Sequence, residues 1–338
     1  MDKILLGHGS GGRLMHQLIR EYIAPRFDMQ VLADSAILDS AALSGGKIAF
    51  TTDSYVVSPL FFPGGDIGEL AVNGTVNDLS MVGAKPLYLS TGFVIEEGFP
   101  LDSLERIVIS MADAAQKANV RIVAGDTKVV DKGKGDGIFI TTSGIGAIPA
   151  DVILGPERIK SGDKVIISGA IGNHGVAVMS ERNGLSFDPP VLSDTAALCS
   201  LVDLMLNFEK NIRMMRDPTR GGVATTLKEI AIESGLPVII SEELLPIPDG
   251  VKGACELLGL DPLYIANEGI LLAIVPADTA EILLRVMRAH LLGAGAAVIG
   301  EIGPAEDPKK KGMVLLKTAI GGTRVIDMLA GEQLPRIC

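Results

Sequence analysis

Asp66 and Glu69, Asp102 and Glu105, and Asp278 and Glu281 stand three residues apart, each pair heading a segment with apolar residues at helical spacing. An Asp that can cap an amide two or three residues on, followed by an acid that reaches back, is a helix start. Between these starts run short apolar stretches bounded by glycine and polar turns: KIAFTT (47–52), LYLSTGFVI (87–95), VRIVAGD (120–126), GIFITTSGIGAI (137–148) and KVIISG (164–169). Such stretches read as strands. Further strands are expected at 237–241, 264–267, 270–275, 296–302 and 313–317. Helices are expected from Asp66 to Gly83, from Asp102 to about Asn119, and at about 195–208, 222–234 and 279–291, with a short one between Gly322 and Gly331. Helices and strands mix in both halves of the 338 residues, which predicts two α/β (α+β) domains. We divide the chain into a glycine-rich segment 1–35, a first domain 36–150, a second domain 151–320 and a tail 321–338. DKGKGDG (131–137) reads as a mobile charged loop.

Composition narrows the function classes. The net charge of −11 repels a phosphate backbone, and aromatics are only 4% with no Trp, which argues against nucleic-acid binding. No apolar run nears the ~18 residues of a membrane span, and MDKILLGHGSGG lacks the apolar core of a signal peptide. Three cysteines, Cys199, Cys255 and Cys338, are no disulfide framework. These features predict a cytoplasmic protein.

Several residues suggest chemistry. Asp34, Asp53, Asp78 and Asp126 fall at expected strand or helix ends, where open α/β sheets place ligand groups. Hard carboxylate oxygens there suit Mg²⁺ and nucleotide phosphates, but Asp is equally a common turn and cap residue. DPTRGG (217–222) leads into a helix and offers backbone N–H groups for an anion, or is merely a glycine-rich helix start. It is neither a P-loop nor a G-x-G-x-x-G turn. Lys128 and Glu268 are acid–base candidates; Glu268 is either cleft-facing or an exposed hairpin residue. Cys199 and Cys255 read as packed thiols. Cys338 reads as an exposed terminal thiol whose thiolate Arg336 favours and the α-carboxylate opposes, or as an accidental terminal Cys.

TTDS (51–54), VNDLSMVGAKP (76–86), AGDTK (124–128), DPTRGG, ANEG (266–269) and above all PRIC (335–338) together resemble the HypE family of hydrogenase maturation factors, along essentially the whole chain. The internal motifs are shared with the wider aminoimidazole ribonucleotide synthetase-like superfamily. The resemblance implies a two-domain fold and a homodimer paired through N-terminal domains that form a β-barrel-like core. ATP and Mg²⁺ are implied in a cleft near that interface, with Gly9, Ser10, Gly11 and Gly12 covering the phosphates. Asp34, Asp53, Asp78 and Asp217 match metal or phosphate positions of the superfamily. Asp126 and Thr127, with Arg220, Gly221 and Gly222, fall in its nucleotide-binding motifs. Lys128 and Glu268 match residues that handle carboxamide protons.

The same resemblance implies that Cys338 accepts a carbamoyl group from a HypF-type carbamoyltransferase. ATP-dependent dehydration then yields a thiocyanate, and the cyanide passes to iron on a HypC–HypD complex as a ligand of the [NiFe] centre. The alternatives are a small-molecule, ATP-dependent enzyme of the aminoimidazole ribonucleotide synthetase or selenophosphate synthetase type, and a nucleotide-sensing module without turnover. GHGSGG (7–12) lacks the N-terminal Cys or Sec of selenophosphate synthetases. With a helix stop at Gly331, seven residues remain, an arm of about 23–25 Å when extended. That arm is expected to swing outward without nucleotide and inward with ATP.

Overall fold

The computed structural model describes residues 3–5, 17–27, 46–304, 310–328 and 336–338. Gly9, Ser10, Gly11, Gly12, Asp34 and Gly331 lie outside the described residues. The first half contains β1 (Lys47–Tyr55), β2 (Phe61–Phe62), β3 (Gly65–Asp66), α1 (Ile67–Met81), β4 (Lys85–Glu96), α2 (Leu101–Lys117), β5 (Arg121–Val130) and β6 (Ile138–Ile148). The long strands form one sheet in the order β1-β6-β4-β5, open within the chain. Period-2 alternation sends Leu89, Phe93, Ile95, Ile138 and Ile140 toward the helices, where they join Leu70, Val76, Leu104 and Met111 in one core. The opposite face leaves Ile48 and Phe50 exposed, Phe50 at 68%.

Asp66 caps α1 as expected, its carboxylate accepting from the amides of Gly68 and Glu69. Asp102 and Asp278 do not cap. The N-caps are Pro100 and Pro276, and the two aspartates sit inside the first turn, where their charge still complements the helix dipole. The Asp53 and Asp126 strands also run further than expected. β1 continues to Tyr55 because β6 pairs with it through Asp53↔Thr142 and on to Tyr55↔Ile140. β5 continues to Val130 beside β4. Both aspartates are therefore strand residues and do not follow the strands. The 131–137 loop is tied back, with the Glu96 carboxylate accepting from the amides of Gly133 and Gly137.

The second half contains β7 (Lys164–Ile167), α3 (Asn173–Asn183), α4 (Cys199–Phe208), β8 (Met214–Arg216), α5 (Gly222–Ser234), β9 (Val238–Ser241), α6 (Asp249–Leu258), β10 (Leu272–Val275), α7 (Ala277–Arg288), β11 (Ala297–Ile302), β12 (Val314–Lys317) and β13 (Thr323–Ile326). Its seven-stranded sheet runs β13-β12-β9-β11-β7-β10-β8. Two expectations fail here. Residues 323–326 form a strand and not a helix, because they pair with β12 from Val314↔Ile326 to Lys317↔Thr323, and Thr323, Val325 and Ile326 are β-branched. Residues 264–267 are not a strand. Asp261 caps a 3₁₀ turn at Pro262–Tyr264, and a buried loop follows. No helix among the described residues is long and apolar enough to cross a membrane.

Candidate active site

Between the two halves lies the Ala266–Gly269 loop, and Glu268 within it is only 3% exposed. The hairpin alternative therefore fails: this carboxylate is interior. Asn267 makes that burial tolerable by satisfying the surrounding backbone. Its Oδ1 accepts from the Gly172 amide at 2.7 Å and its Nδ2 donates to the Pro218 carbonyl at 2.9 Å. Asn77 on α1 donates to the Glu268 and Ala196 carbonyls, and Asp194 accepts from the Glu268 and Gly269 amides. The backbone is thus clamped while the Glu268 Oε1 is buried and has no hydrogen-bond partner. Gly269 permits the close approach, since a Cβ there would lie 1.6 Å from the Asp194 carbonyl oxygen. Gly269→Ala is expected to destabilise the protein by ~3 kcal/mol or more, read by chemical denaturation; an unchanged midpoint would refute this packing account.

Around Glu268 the structure gathers like charges. Burial first, and then Asp217 and Asp194, push its carboxyl well above the ordinary range. Asp217 is pushed up to about 7 by burial and then by Asp78. Asp78 on α1 is raised by burial and by Asp53, although the Thr51 hydroxyl donates to it at 2.9 Å. Arg216 and then Arg220 oppose the accumulation, favouring the charged form of Asp78. Asp53, Asp78, Asp217, Arg220 and Glu268, from distant parts of the sequence, therefore share one electrostatic site. Among the described residues no three such side chains stand close enough to hold a metal by themselves. Mg²⁺ characteristically takes one or two carboxylates plus substrate phosphates, so an oxygen-only, mutually repelling donor set fits it.

DPTRGG serves the fold as well as the site. Gly221 and Gly222 have φ of 74° and 61°, and a Cβ at Gly222 would meet the carbonyls of Leu263 and Ile265 at 2.6 Å. The Gly222 amide donates to the Thr219 carbonyl. Close packing of this turn on the 263–265 loop demands glycine there, independently of any anion.

Asp126 and Lys128 are not brought into this group within the chain. They pair with each other at 2.9 Å and are both mostly exposed on β5, while Thr127 is buried. The register runs Asp53↔Thr142, Thr142↔Thr91, Thr91↔Gly125, so β1 and β5 are three strand spacings apart, roughly 14 Å.

Cys338 is brought in, and it differs from expectation. It is half-buried against the first-domain core, into which Ile337 inserts fully. Burial and then Glu268 raise its thiol pKa, with Arg220 pulling the other way. Arg336 does not serve the thiolate: its guanidinium reaches the Val56 carbonyl and the Asp136 carboxylate. The Val56 and Ser58 amides donate to the Cys338 and Arg336 carbonyls. Asp194, His174 and Arg182, which complete this surround, have no local signature of such a role; His174 stands in GNHG (172–175) with nothing to link it to a tail 163 residues away.

The comparisons agree with this geometry. The N-terminal domain of AIR synthase related proteins matches residues 33–148, and their C-terminal domain matches 160–311. The carbamoyl dehydratase HypE of Cupriavidus necator is 52% identical, covering 99% of this chain and 95% of its own length. That of Escherichia coli is 44% identical over the full length of both. A crystal structure of the hydrogenase maturation protein HypE in complex with ATP is 48% identical, covers 99% of each chain and superposes with a TM-score of 0.94. A HypE–HypF complex is 47% identical, covering 94% of this chain and 100% of that one, with a TM-score of 0.80. A thiamine monophosphate kinase at 19% identity and a TM-score of 0.59 shares the fold alone. The chain belongs to the HypE carbamoyl dehydratase family, within the AIR synthase related proteins.

Proposed function

We propose that this enzyme dehydrates a carbamoyl group carried on Cys338 to a thiocyanate at the expense of ATP, supplying the cyanide ligand for [NiFe]-hydrogenase maturation. The observation that carries the reading is the docking of Ile337 and Cys338 against the first-domain core, which leaves the thiol within electrostatic reach of Glu268. A terminal thiol within electrostatic reach of a buried, unpartnered carboxyl is what a carrier cysteine and its base require. A small-molecule synthetase has no use for it.

ATP supplies the phosphoryl group that turns the carboxamide oxygen into a leaving group; Mg²⁺, when bound, would be held by carboxylates of the Asp53, Asp78 and Asp217 group together with the ATP phosphates and would neutralise the phosphoryl charge. Asp34 and the Gly9–Gly12 segment are proposed to complete the phosphate site. Of the two amide protons, one passes to water as the oxygen is phosphorylated, and Glu268 takes the other as the C–O bond breaks, leaving the nitrile on sulfur and the oxygen on phosphate. Its raised pKa makes it a stronger base than an ordinary carboxylate. The docked thiol is a poor nucleophile because its pKa is raised, so loading by a HypF-type carbamoyltransferase takes place with the tail released. The product is then handed to a HypC–HypD acceptor.

Lys128 orients the carboxamide from a second copy. β1 and β5 are the sheet's two edges, and the outer face between them carries Ile48 and Phe50 exposed. Pairing of two such sheets edge to edge buries that face and sets the partner's β5, with Asp126, Thr127 and Lys128, beside Asp53. Free cysteines and the absence of a spanning helix among the described residues support a cytoplasmic location.

Mass spectrometry of the C-terminal peptide tests the function. Incubation with carbamoyltransferase, carbamoyl phosphate and ATP is expected to give a carbamoyl adduct and then its loss of one water; an adduct that never dehydrates would refute it. Asp53→Asn and Asp78→Asn are each expected to weaken Mg-ATP binding at least tenfold by calorimetry, while unchanged affinity would remove that residue from the site. Lys128→Ala and Glu268→Gln proteins, each inactive, are expected to complement when mixed. Failure to do so, with subunit exchange demonstrated, would place Lys128 outside the partner's site.

A further inference from the structure

His174 lies at the start of α3, wholly buried, with the edge of Phe62 against its ring at 5.4 Å between centroids. Its Nε2 stands 2.8 Å from the Ile337 carbonyl and its Nδ1 2.9 Å from the Ser193 hydroxyl. A carbonyl can only accept, so Nε2 carries the proton and Nδ1 accepts from Ser193. The Ser193 oxygen in turn accepts from the Thr195 amide, which fixes the hydroxyl's orientation. Burial lowers the imidazole pKa to about 4, so the ring is neutral and the tautomer is held at neutral pH. Arg182, two turns along the same helix, donates to the Arg336 carbonyl and to the Ser58 carbonyl. One helix thus grips two successive carbonyls of the tail. The residue after Ser193 is Asp194, whose carboxylate holds the amides of Glu268 and Gly269.

We infer that His174 is a positioning residue for the dehydration step. With Ser193 it latches the Ile337 carbonyl, and because Ser193 and Asp194 are adjacent, one dipeptide sets the acceptor sulfur against the Glu268 loop. The latch rests on Cys338 being the acceptor for its catalytic consequence, but the tail capture itself does not.

The experiment therefore reads both. Trypsin cleavage after Arg336 reports capture without any reaction. His174→Ala is expected to speed that cleavage about tenfold or more, and His174→Gln, whose side-chain amide can still donate, to restore much of the protection. In protein carrying the carbamoyl group, His174→Ala is expected to slow ATP-dependent dehydration at saturating ATP about tenfold or more, with ATP affinity and carbamoyl loading unchanged. A merely structural role would instead lower loading, ATP affinity and thermal midpoint together. Ser193→Ala serves as the second variant should His174→Ala fail to fold, and its expected effects are the same in direction. Unaltered cleavage and dehydration in a folded His174 or Ser193 variant would overturn the latch. Faster cleavage with no dehydration in the unmutated protein would overturn the acceptor reading and leave the latch standing.

Discussion

Cys338→Ala is expected to abolish both carbamoyl loading and thiocyanate formation while leaving ATP binding and the fold in place. The loss is complete because the sulfur is the atom that carries the group, so no neighbouring residue substitutes for it. Stability should change little, by about 1 kcal/mol, since the side chain is only half-buried and lies at the chain end. Cys199 and Cys255 are poor alternatives: burial raises both thiols, Cys255 to about 11, and each is fixed within a helix, α4 or α6, whereas release of the tail frees Cys338. Peptide mapping after incubation with the carbamoyltransferase checks this, and an adduct on Cys199 or Cys255 would count against Cys338 as acceptor.

Glu268→Gln is expected to accept the carbamoyl group normally and then stall, with dehydration slowed about 10²–10⁴-fold, the range of a lost general base. The pH dependence should move with it. A base whose pKa lies above the ordinary carboxylate range gives a rate that rises with pH through that raised value, and the rise should vanish in the Gln variant. Stability moves in the opposite direction. The folded protein holds the Glu268 proton more tightly than the unfolded chain does. Stability therefore falls as pH climbs from the ordinary carboxylate range through the raised folded value. Gln cannot ionise, so the variant should be more stable than the parent at pH 8. Near pH 3, where the parent Glu268 is almost wholly protonated in both states, the two should be alike. Chemical denaturation at the two pH values checks the sign, and a Gln variant less stable at pH 8 would show that Glu268 has a favourable partner.

The local features were legible in the residues. Helix 222–234 was expected with the bounds it has, Asp66 caps as its spacing indicated, and the strands at 297–302 and 314–317 sit where the apolar runs placed them. Such signals are local because a cap and its amides lie within three residues and an apolar face repeats every two or four. Asp102 and Asp278 carry the same spacing without capping, because the prolines two residues before them begin the helix first. Thr323–Ile326 reads as a helix start because Gly321 and Gly322 precede it, whereas those glycines lie in the turn of a hairpin back to β12.

Chemistry-bearing residues were visible as types, and their environments were not. Glu268 stood out as a charge amid apolar sequence, yet whether it faced water or the interior depended on Asn77, Asp194 and Asn267, which arrive from three other segments. Asp126 and Lys128 share a motif with nothing to indicate that β5 is the far edge of the sheet from Asp53. The sequence by itself determined the Asp66 cap, the periodicities and a set of candidate carboxylates. The tertiary structure alone decided that Asp53, Asp78, Asp217 and Glu268 repel one another in one site, that burial there raises the docked Cys338 thiol, and that His174 holds the tail. A burial, a pKa or a hydrogen bond between residues 163 positions apart is a property of what packs around a group, and no local stretch of chain records it.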